Sequence, residues 1–188
     1  GKCRRCKEVI SYQYPIVEFI TGLMFVLVTY YFLPILMFQP LNFIILVILY
    51  VFIFSILIVI SVYDLKHKII PDKLFINFSV FSFASFFINQ TGFDGVISIP
   101  PLFYLLAGPI LAIPFAFIWL VSKGKWMGLG DAKLMLGIGW FLGILIGLSA
   151  VVISFWIGAI VSLSILFFSR KRISMKKEIP LAPFLAIG

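Results

Sequence analysis

The chain has 188 residues, of which 63% are hydrophobic and only 12% are charged, and its formal net charge at pH 7 is +8. Soluble domains contain about half apolar and about a quarter charged residues, so this composition excludes a soluble globule and indicates a multi-span membrane protein. The basic residues lie between apolar runs, where they set membrane topology, and no nucleic-acid partner is expected.

The chain opens on a polar segment that contains its two cysteines, Cys3 and Cys6. One Cys-x-x-Cys is too little for a disulfide framework, and its spacing fits half of a structural zinc site, which needs four ligands; a redox pair is the other interpretation. Because the chain starts without Met and stops within an apolar run, we expect truncation at both ends. We assign 1–15 to a cytoplasmic Cys-x-x-Cys segment and 16–188 to a membrane domain.

The apolar runs predict an all-α bundle of about six transmembrane helices. A bilayer core about 30 Å thick is crossed by about 20 helical residues. Applied in chain order, this length gives spans near 16–38, 42–63, 74–90, 101–121, 131–148 and 149–168. The uncharged stretch from Leu134 to Phe168 is too long for one span, and we divide it near Ser149.

The middle spans carry features that predict how they pack. Span three is polar for a helix that faces lipid and is expected inside the bundle. Its polar residues are Asn77, Ser79, Ser82 and Ser85. In span four, Pro109 and Pro114 are expected to kink the helix. Span five has a glycine at every fourth position, which predicts close contact with another helix. These glycines are Gly139, Gly143 and Gly147.

The charges of the loops predict the side of the membrane that each loop faces. When the loops are assigned alternately to two sides, all 15 Lys and Arg residues fall on one side. The opposite loops, 39–41, 91–100 and the turn near Ser149, carry only Asp94. Loops rich in Lys and Arg stay in the cytoplasm, so the basic face is expected to be cytoplasmic.

Two acidic residues lie at the predicted cytoplasmic ends of spans. Asp64 precedes a basic loop that is broken by Pro71, and Asp131 follows Gly128-Leu-Gly130. Carboxylates near hydrocarbon are costly and are candidates for function. The two glycines are expected to let backbone come close to a partner or a bound peptide.

Paired carboxylates have a distinctive chemistry. Two that lie close together share a proton, so that one acts as general base and the other as general acid, and aspartic proteases activate water against a peptide bond in this way. The alternative is that Asp64 and Asp131 simply form ion pairs with nearby lysines, such as Lys66 and Lys133.

Four blocks of the sequence form a recognisable order. They are Cys3-Arg-Arg-Cys6 with Ile10-Ser-Tyr-Gln-Tyr-Pro-Ile-Val-Glu18, the stretch from Asp64 to Asp72, Gly128-Leu-Gly-Asp131-Ala-Lys-Leu134, and Ile179-Pro-Leu-Ala-Pro-Phe184. In this order they resemble the type IV prepilin peptidases, which are bacterial Gly-x-Gly-Asp intramembrane aspartyl proteases. A lone Gly-x-Gly-Asp is a weak signal, but four ordered blocks from end to end are specific. One departure is Gln13, where the family usually has arginine.

The resemblance implies a multi-pass enzyme of the bacterial inner membrane with Asp64 and Asp131 as its catalytic pair. It implies a prepilin or pseudopilin substrate, cut after a glycine on the cytoplasmic side of its first hydrophobic helix, which docks within the lipid bilayer. Proteolysis would need no cofactor. The sequence does not predict whether the enzyme serves pili, type II secretion or DNA uptake, nor its oligomeric state.

Other residues of the matching blocks receive secondary roles. We interpret Asp72 as loop-shaping or substrate-contacting, and Glu18 as a substrate contact or as the negative charge that a helix start favours. Many family members have an earlier Cys-x-x-Cys, which would complete a zinc site with Cys3 and Cys6. Many also methylate the pilin with S-adenosylmethionine. The segment resembling that portion is missing here, so this cofactor is expected only if the full-length enzyme methylates.

Two alternative functions share some of these sequence features. A proton- or ion-coupled transporter would also use paired intramembrane acids, but the chain shows no internal repeat and its acids lie at one interface. A related aspartyl protease that cuts signal peptides would share the Gly-x-Gly-Asp motif. The Cys-x-x-Cys and Tyr-Pro-Ile-Val-Glu blocks argue against it.

Overall fold

The computed structural model describes residues 11–90, 102–125, 127–168 and 181–187, and in these segments the regular structure is helical. The helices are α1 (Gln13–Leu36), α2 (Pro40–His67), α3 (Asp72–Gln90), α4 (Leu102–Leu105), α5 (Ala107–Ser122), α6 (Leu129–Phe168) and α7 (Ala182–Ile187). By length and composition, α1, α2 and the part of α6 from Leu129 to Ser164 qualify to cross a membrane, and α5 is a shorter apolar helix. The predicted all-α membrane bundle is confirmed.

The chain divides into two compact units, residues 1–58 and 59–188. In the first unit, α1 and the beginning of α2 form a helical hairpin. Its turn is closed by the N–H groups of Phe38 and Gln39, which donate to the carbonyl of Ile35. The ring of Phe32 packs edge-on against Tyr50, with ring centroids 4.8 Å apart. Large apolar side chains on α1, such as Phe19, remain exposed, as lipid contact requires.

The second unit contains the end of α2 and all later helices, and its centre is α6. Helices α3, α5 and α7 each pack against α6. On α3, Ser79, Ser82 and Ser85 are buried, which confirms the predicted interior position of this helix. Asn77 is the exception, because its side chain is exposed.

The contacts between α5 and α6 show that α6 reverses direction. Before Gly143, α6 runs antiparallel to α5. A Cβ on Gly108 would lie 2.7 Å from the Leu136 carbonyl oxygen, and a Cβ on Gly139 would lie 2.6 Å from the Ala107 carbonyl oxygen. After Gly143, α6 runs in the same direction as α5, because the ring of Phe155 stacks on Phe115. A straight helix would carry Phe155 about 24 Å past Gly139, away from α5.

The reversal occurs at Gly143, whose backbone is non-helical with φ 78° and ψ 179°. This conformation is available essentially to glycine alone. The sequence correctly predicts that the long apolar run contains a break, but the predicted position near Ser149 is wrong. Gly143 therefore has a conformational role, whereas Gly139 and Gly147 are the two glycines that contact α5.

The prolines of span four and the end of α2 can now be compared with the expectations. The break expected at Pro109 is present, because α4 ends at Leu105, the residue whose carbonyl the missing Pro109 N–H would have reached, and Trp140 Nε1 donates to that carbonyl instead. Only Pro114 lies in the helix interior. Helix α2 continues to His67 instead of ending at residue 63. Lys66 and His67 occupy its last turn, where positive charge is favourable.

Candidate active site

The end of α2 presents Asp64 to the interior of the second unit. Asp64 lies in the last turn of the helix and is only 6% exposed. The helix ends at His67, and the next residue, Lys68, adopts φ 54° while its N–H donates to the Asp64 carbonyl. The backbone N–H of Ala182 donates to Asp64 Oδ2 at 3.2 Å. The carboxylate therefore has a fixed buried partner that comes from the other end of the chain.

Asp131 lies in the first turn of α6, and the glycines that precede it have different environments. A Cβ on Gly130 would lie 3.2 Å from the side chain of Ile70, so this glycine allows the loop after α2 to approach the start of α6. At Gly128 the nearest atom, Asp131 Oδ2, would be 3.9 Å away. The expected close approach therefore occurs at Gly130, and its partner is Ile70 of the same chain.

Asp64 and Asp131 line one cavity of about 580 Å³. This volume is within the range of about 300–1,000 Å³ that is typical of ligand sites. The cavity lies between the end of α2, the loop to α3 and the start of α6. The residues that line it are Asp64, Lys68, Ile69, Ile70, Pro71, Asp72, Gly124, Lys125, Met127, Gly128, Leu129, Gly130, Asp131, Lys133 and Leu181. Three predicted blocks of the sequence thus meet at one place.

The two aspartates are close enough to interact electrostatically, and the backbone of Gly128 also contacts the Asp131 carboxylate through a hydrogen bond. Two interacting carboxylates beside a cavity can share a proton and titrate as a pair. Such a pair can take a proton from water and give one to a leaving group. The arrangement is therefore suited to acid–base hydrolysis.

Asp72 and Lys133 form an ion pair across the mouth of the cavity. Asp72 is the first residue of α3 and is 70% exposed, while Lys133 is 31% exposed. The Lys133 ammonium also lies 5.8 Å from the centroid of the Phe75 ring. Lys133 is thus the partner of Asp72, whereas one alternative from the sequence assigned it to an aspartate of the pair.

Glu18 lies outside this unit, exposed on α1. Helix α1 begins at Gln13 and has no acidic residue in its first turn. The interpretation of Glu18 as a helix-start charge is therefore wrong, because the helix dipole acts only within about the first turn. Its role as a substrate contact stays a prediction.

Comparison with known proteins identifies the family. The model of the type IV leader peptidase family matches residues 51–163, the part of the chain that contains both aspartates. The chain belongs to this family. A second model, the bacterial peptidase A24 N-terminal domain, matches residues 1–32 of the chain. Family membership supports a peptidase that processes type IV prepilins and argues against a transporter.

Two curated relatives match the chain over its whole length. A prepilin leader peptidase/N-methyltransferase of Bacillus subtilis (strain 168) is 28% identical over 191 residues, and the match covers 68% of that protein. A protein with the same name from Xanthomonas campestris pv. campestris is 29% identical over 192 residues, and the match covers 61% of it. No solved structure matches the chain.

Within the described segments, no group of three or more His, Cys, Asp or Glu side chains is placed to hold a metal ion. Cys3 and Cys6 lie outside the described residues, as does Asp94. The zinc site expected from the two cysteines therefore stays a prediction.

Two features of the site were missed by reasoning from the sequence. One is the Ala182 N–H, and the other is the ion pair of Asp72 with Lys133. The block around Ala182 matches the family, which indicates that the segment matters but does not predict that it contacts Asp64. The spacing of residues along one chain does not predict contacts between distant segments.

Proposed function

We propose that this protein is an intramembrane aspartic endopeptidase in which Asp64 and Asp131 activate water. The observation that carries the proposal is that both aspartates, from separate helices, line one cavity. One carboxylate would remove a proton from water while the other, which is protonated, gives its proton to the amide nitrogen that leaves. The proton held by the first carboxylate then passes to the second, which restores the starting pair.

We propose further that the substrate is a type IV prepilin or pseudopilin, cut after a glycine at the cytoplasmic side of the bacterial inner membrane. The names of the two relatives and the basic loops around the cavity support this substrate and this side. The hydrophobic helix of the substrate would pack against the apolar faces of the bundle within the lipid.

The proposed catalytic pair is tested with membranes that contain the parent chain and a prepilin with a Gly-Phe junction. Asp64→Asn and Asp131→Asn each keep the size of the side chain and remove its charge. We expect each variant to lose cleavage by at least about a thousandfold, since removal of an essential member of a catalytic pair is that severe.

Asp94→Asn is the matched control for this experiment, because the same chemical change then falls in a loop predicted to lie on the opposite face. It should cleave at the parental rate when the amounts of protein are equal. Parental cleavage by Asp64→Asn or Asp131→Asn would show that the residue is not catalytic.

For the cysteine segment we propose a structural zinc site that uses Cys3 and Cys6 with two further ligands. The purified full-length enzyme should contain about one zinc ion per chain, measured by atomic emission, and Cys3→Ser with Cys6→Ser should lose it. Full zinc content in the double variant would contradict this site. Methylation with S-adenosylmethionine is proposed only for an enzyme that includes the segments its relatives have in addition.

A further inference from the structure

The last helix of the chain supplies a hydrogen bond to the candidate active site. Ala182 is the first residue of α7, and its N–H donates to Asp64 Oδ2 although the two residues are 118 positions apart. Ala182 is 0% exposed and Asp64 is 6% exposed, so water does not compete for this bond. The preceding residue, Leu181, lines the cavity itself.

The donor is available because of its place in α7. The first N–H groups of a helix have no partner inside it. In α7 the N–H groups of Phe184 and Leu185 donate to the carbonyl of Leu181, and Pro183 has no N–H. The Ala182 N–H is therefore a buried donor that must find an acceptor elsewhere, and Asp64 is that acceptor.

Helix α7 is held in position by α6. Ala182 and Leu185 are buried, and the ring of Phe184 lies 3.5 Å from the place that a Cβ on Gly158 of α6 would occupy. Asp131 is in the first turn of the same α6. One helix thus carries Asp131 directly and also supports the segment that contacts Asp64.

We propose that the backbone N–H of Ala182 is a positioning group for Asp64. It fixes Oδ2, which leaves the other carboxylate oxygen to face the reacting water and Asp131. The inference rests on the proposed function, since positioning matters to the reaction only if Asp64 takes part in it. A purely structural hydrogen bond would anchor α7 without changing the rate of the chemical step.

The test replaces Ala182 by lactic acid in the full chain, which keeps the methyl group and exchanges only the N–H for an ester oxygen. We expect kcat for the Gly-Phe prepilin to fall at least about tenfold while KM changes less than about threefold, because small misplacement of a catalytic group costs rate more than binding. The same replacement at Ala186, elsewhere in α7, is the matched control and should keep the parental kcat. Equal kcat in both esters would overturn the proposal.

Two genetic variants separate the N–H from the side chain. Proline is accepted at the first position of a helix, so Ala182→Pro removes the donor at little cost to α7, while Ala182→Gly keeps the donor. We expect Ala182→Gly to retain most of the parental kcat and Ala182→Pro to lose it. If Ala182→Gly is impaired as severely as Ala182→Pro, the packing of the methyl group matters and the proposed role of the N–H is wrong.

The hydrogen bond from Ala182 to Asp64 is also tested by a measurement that does not depend on catalytic activity. In a chain labelled with ¹⁵N-alanine, the amide resonance of Ala182 is assigned by its loss in Ala182→Gly. It should move with pH in the parent and stay constant in Asp64→Asn. If the amide resonance of Ala182 does not shift with pH in the parent, the proposed hydrogen bond is wrong. Parental cleavage by Asp64→Asn would instead overturn the proposed function, so the two failures are distinguishable.

Discussion

Asp72 and Lys133 are joined by an ion pair at the mouth of the cavity, and this pairing favours the loop-shaping interpretation of Asp72. Both residues are partly exposed, and such pairs contribute at most about 1 kcal/mol to folding. The pair does, however, connect the first residue of α3 to the first turns of α6. We therefore expect the ion pair to hold the loop from Lys68 to Pro71 in position and to add little to the global stability of the protein.

The roles of Asp72 are separated by a double-mutant cycle on cleavage with Asp72→Asn and Lys133→Gln. If the ion pair shapes the loop, each variant should lower kcat/KM by a similar factor of about 3–10, and the double variant should be little worse than either one. If Asp72 contacts the substrate independently, the two losses should multiply. Thermal unfolding of the same proteins checks that the folded fraction is unchanged.

At the scale of helices, the close contact of α5 with α6 depends on Gly139. A Cβ at this position would lie 2.6 Å from the Ala107 carbonyl oxygen and 2.6 Å from the Cα of Gly108, and these are backbone atoms that cannot rotate away. Gly139→Ala should therefore force the helices apart and lower the free energy of unfolding by about 1–3 kcal/mol.

Gly158→Ala is the matched control for this change, because it makes the same substitution in the same helix. There the nearest atom to an added Cβ would be a ring carbon of Phe184 at 3.5 Å, an ordinary contact. Thermal unfolding in detergent measures both variants. Equal stability of Gly139→Ala and the parent would show that α5 and α6 are not packed as closely as described.

At the scale of the whole molecule, the loops that line the cavity are expected to face the cytoplasm. The prediction is tested with single cysteines at Lys66 and Lys125, both exposed, in a chain that also carries Cys3→Ser and Cys6→Ser. A membrane-impermeant maleimide should label Lys66→Cys and Lys125→Cys in inverted vesicles but not in spheroplasts.

Asp94→Cys is the control for sidedness, since its loop is predicted to lie on the opposite face and should label only in spheroplasts. Labelling of Lys66→Cys and Lys125→Cys from opposite sides would contradict the arrangement in which Asp64, in the same last turn of α2 as Lys66, lines one cavity with Lys125. Labelling of both residues from outside the cell would be compatible with the cavity but would show that the proposed orientation in the membrane is reversed.

The first three helices could be predicted within four residues at each end, because length and hydropathy determine where a chain can cross lipid. The sequence also predicts that Asp64 and Asp131 lie together, because both are acids at span ends on the same side and the matching blocks resemble a family in which these positions form a pair; the structure places both at one cavity. The position of the break in α6 could not, because Gly139, Gly143 and Gly147 look alike in sequence and only the backbone angles distinguish them. The hydrogen bond from Ala182 to Asp64 could not be predicted either, because it depends on tertiary packing between residues 118 positions apart.

The reversal at Gly143 also determines how far α6 carries the chain from Asp131. As one straight helix, the run from Asp131 to Phe168 would end about 56 Å from where it begins. Because the run turns back at Gly143, its second part returns alongside α5, and the N–H of Ala182 reaches Asp64. Gly143 lies about 18 Å along the helix from Asp131 and touches neither carboxylate. Its backbone nevertheless decides whether the last segment of the chain can reach the cavity at all.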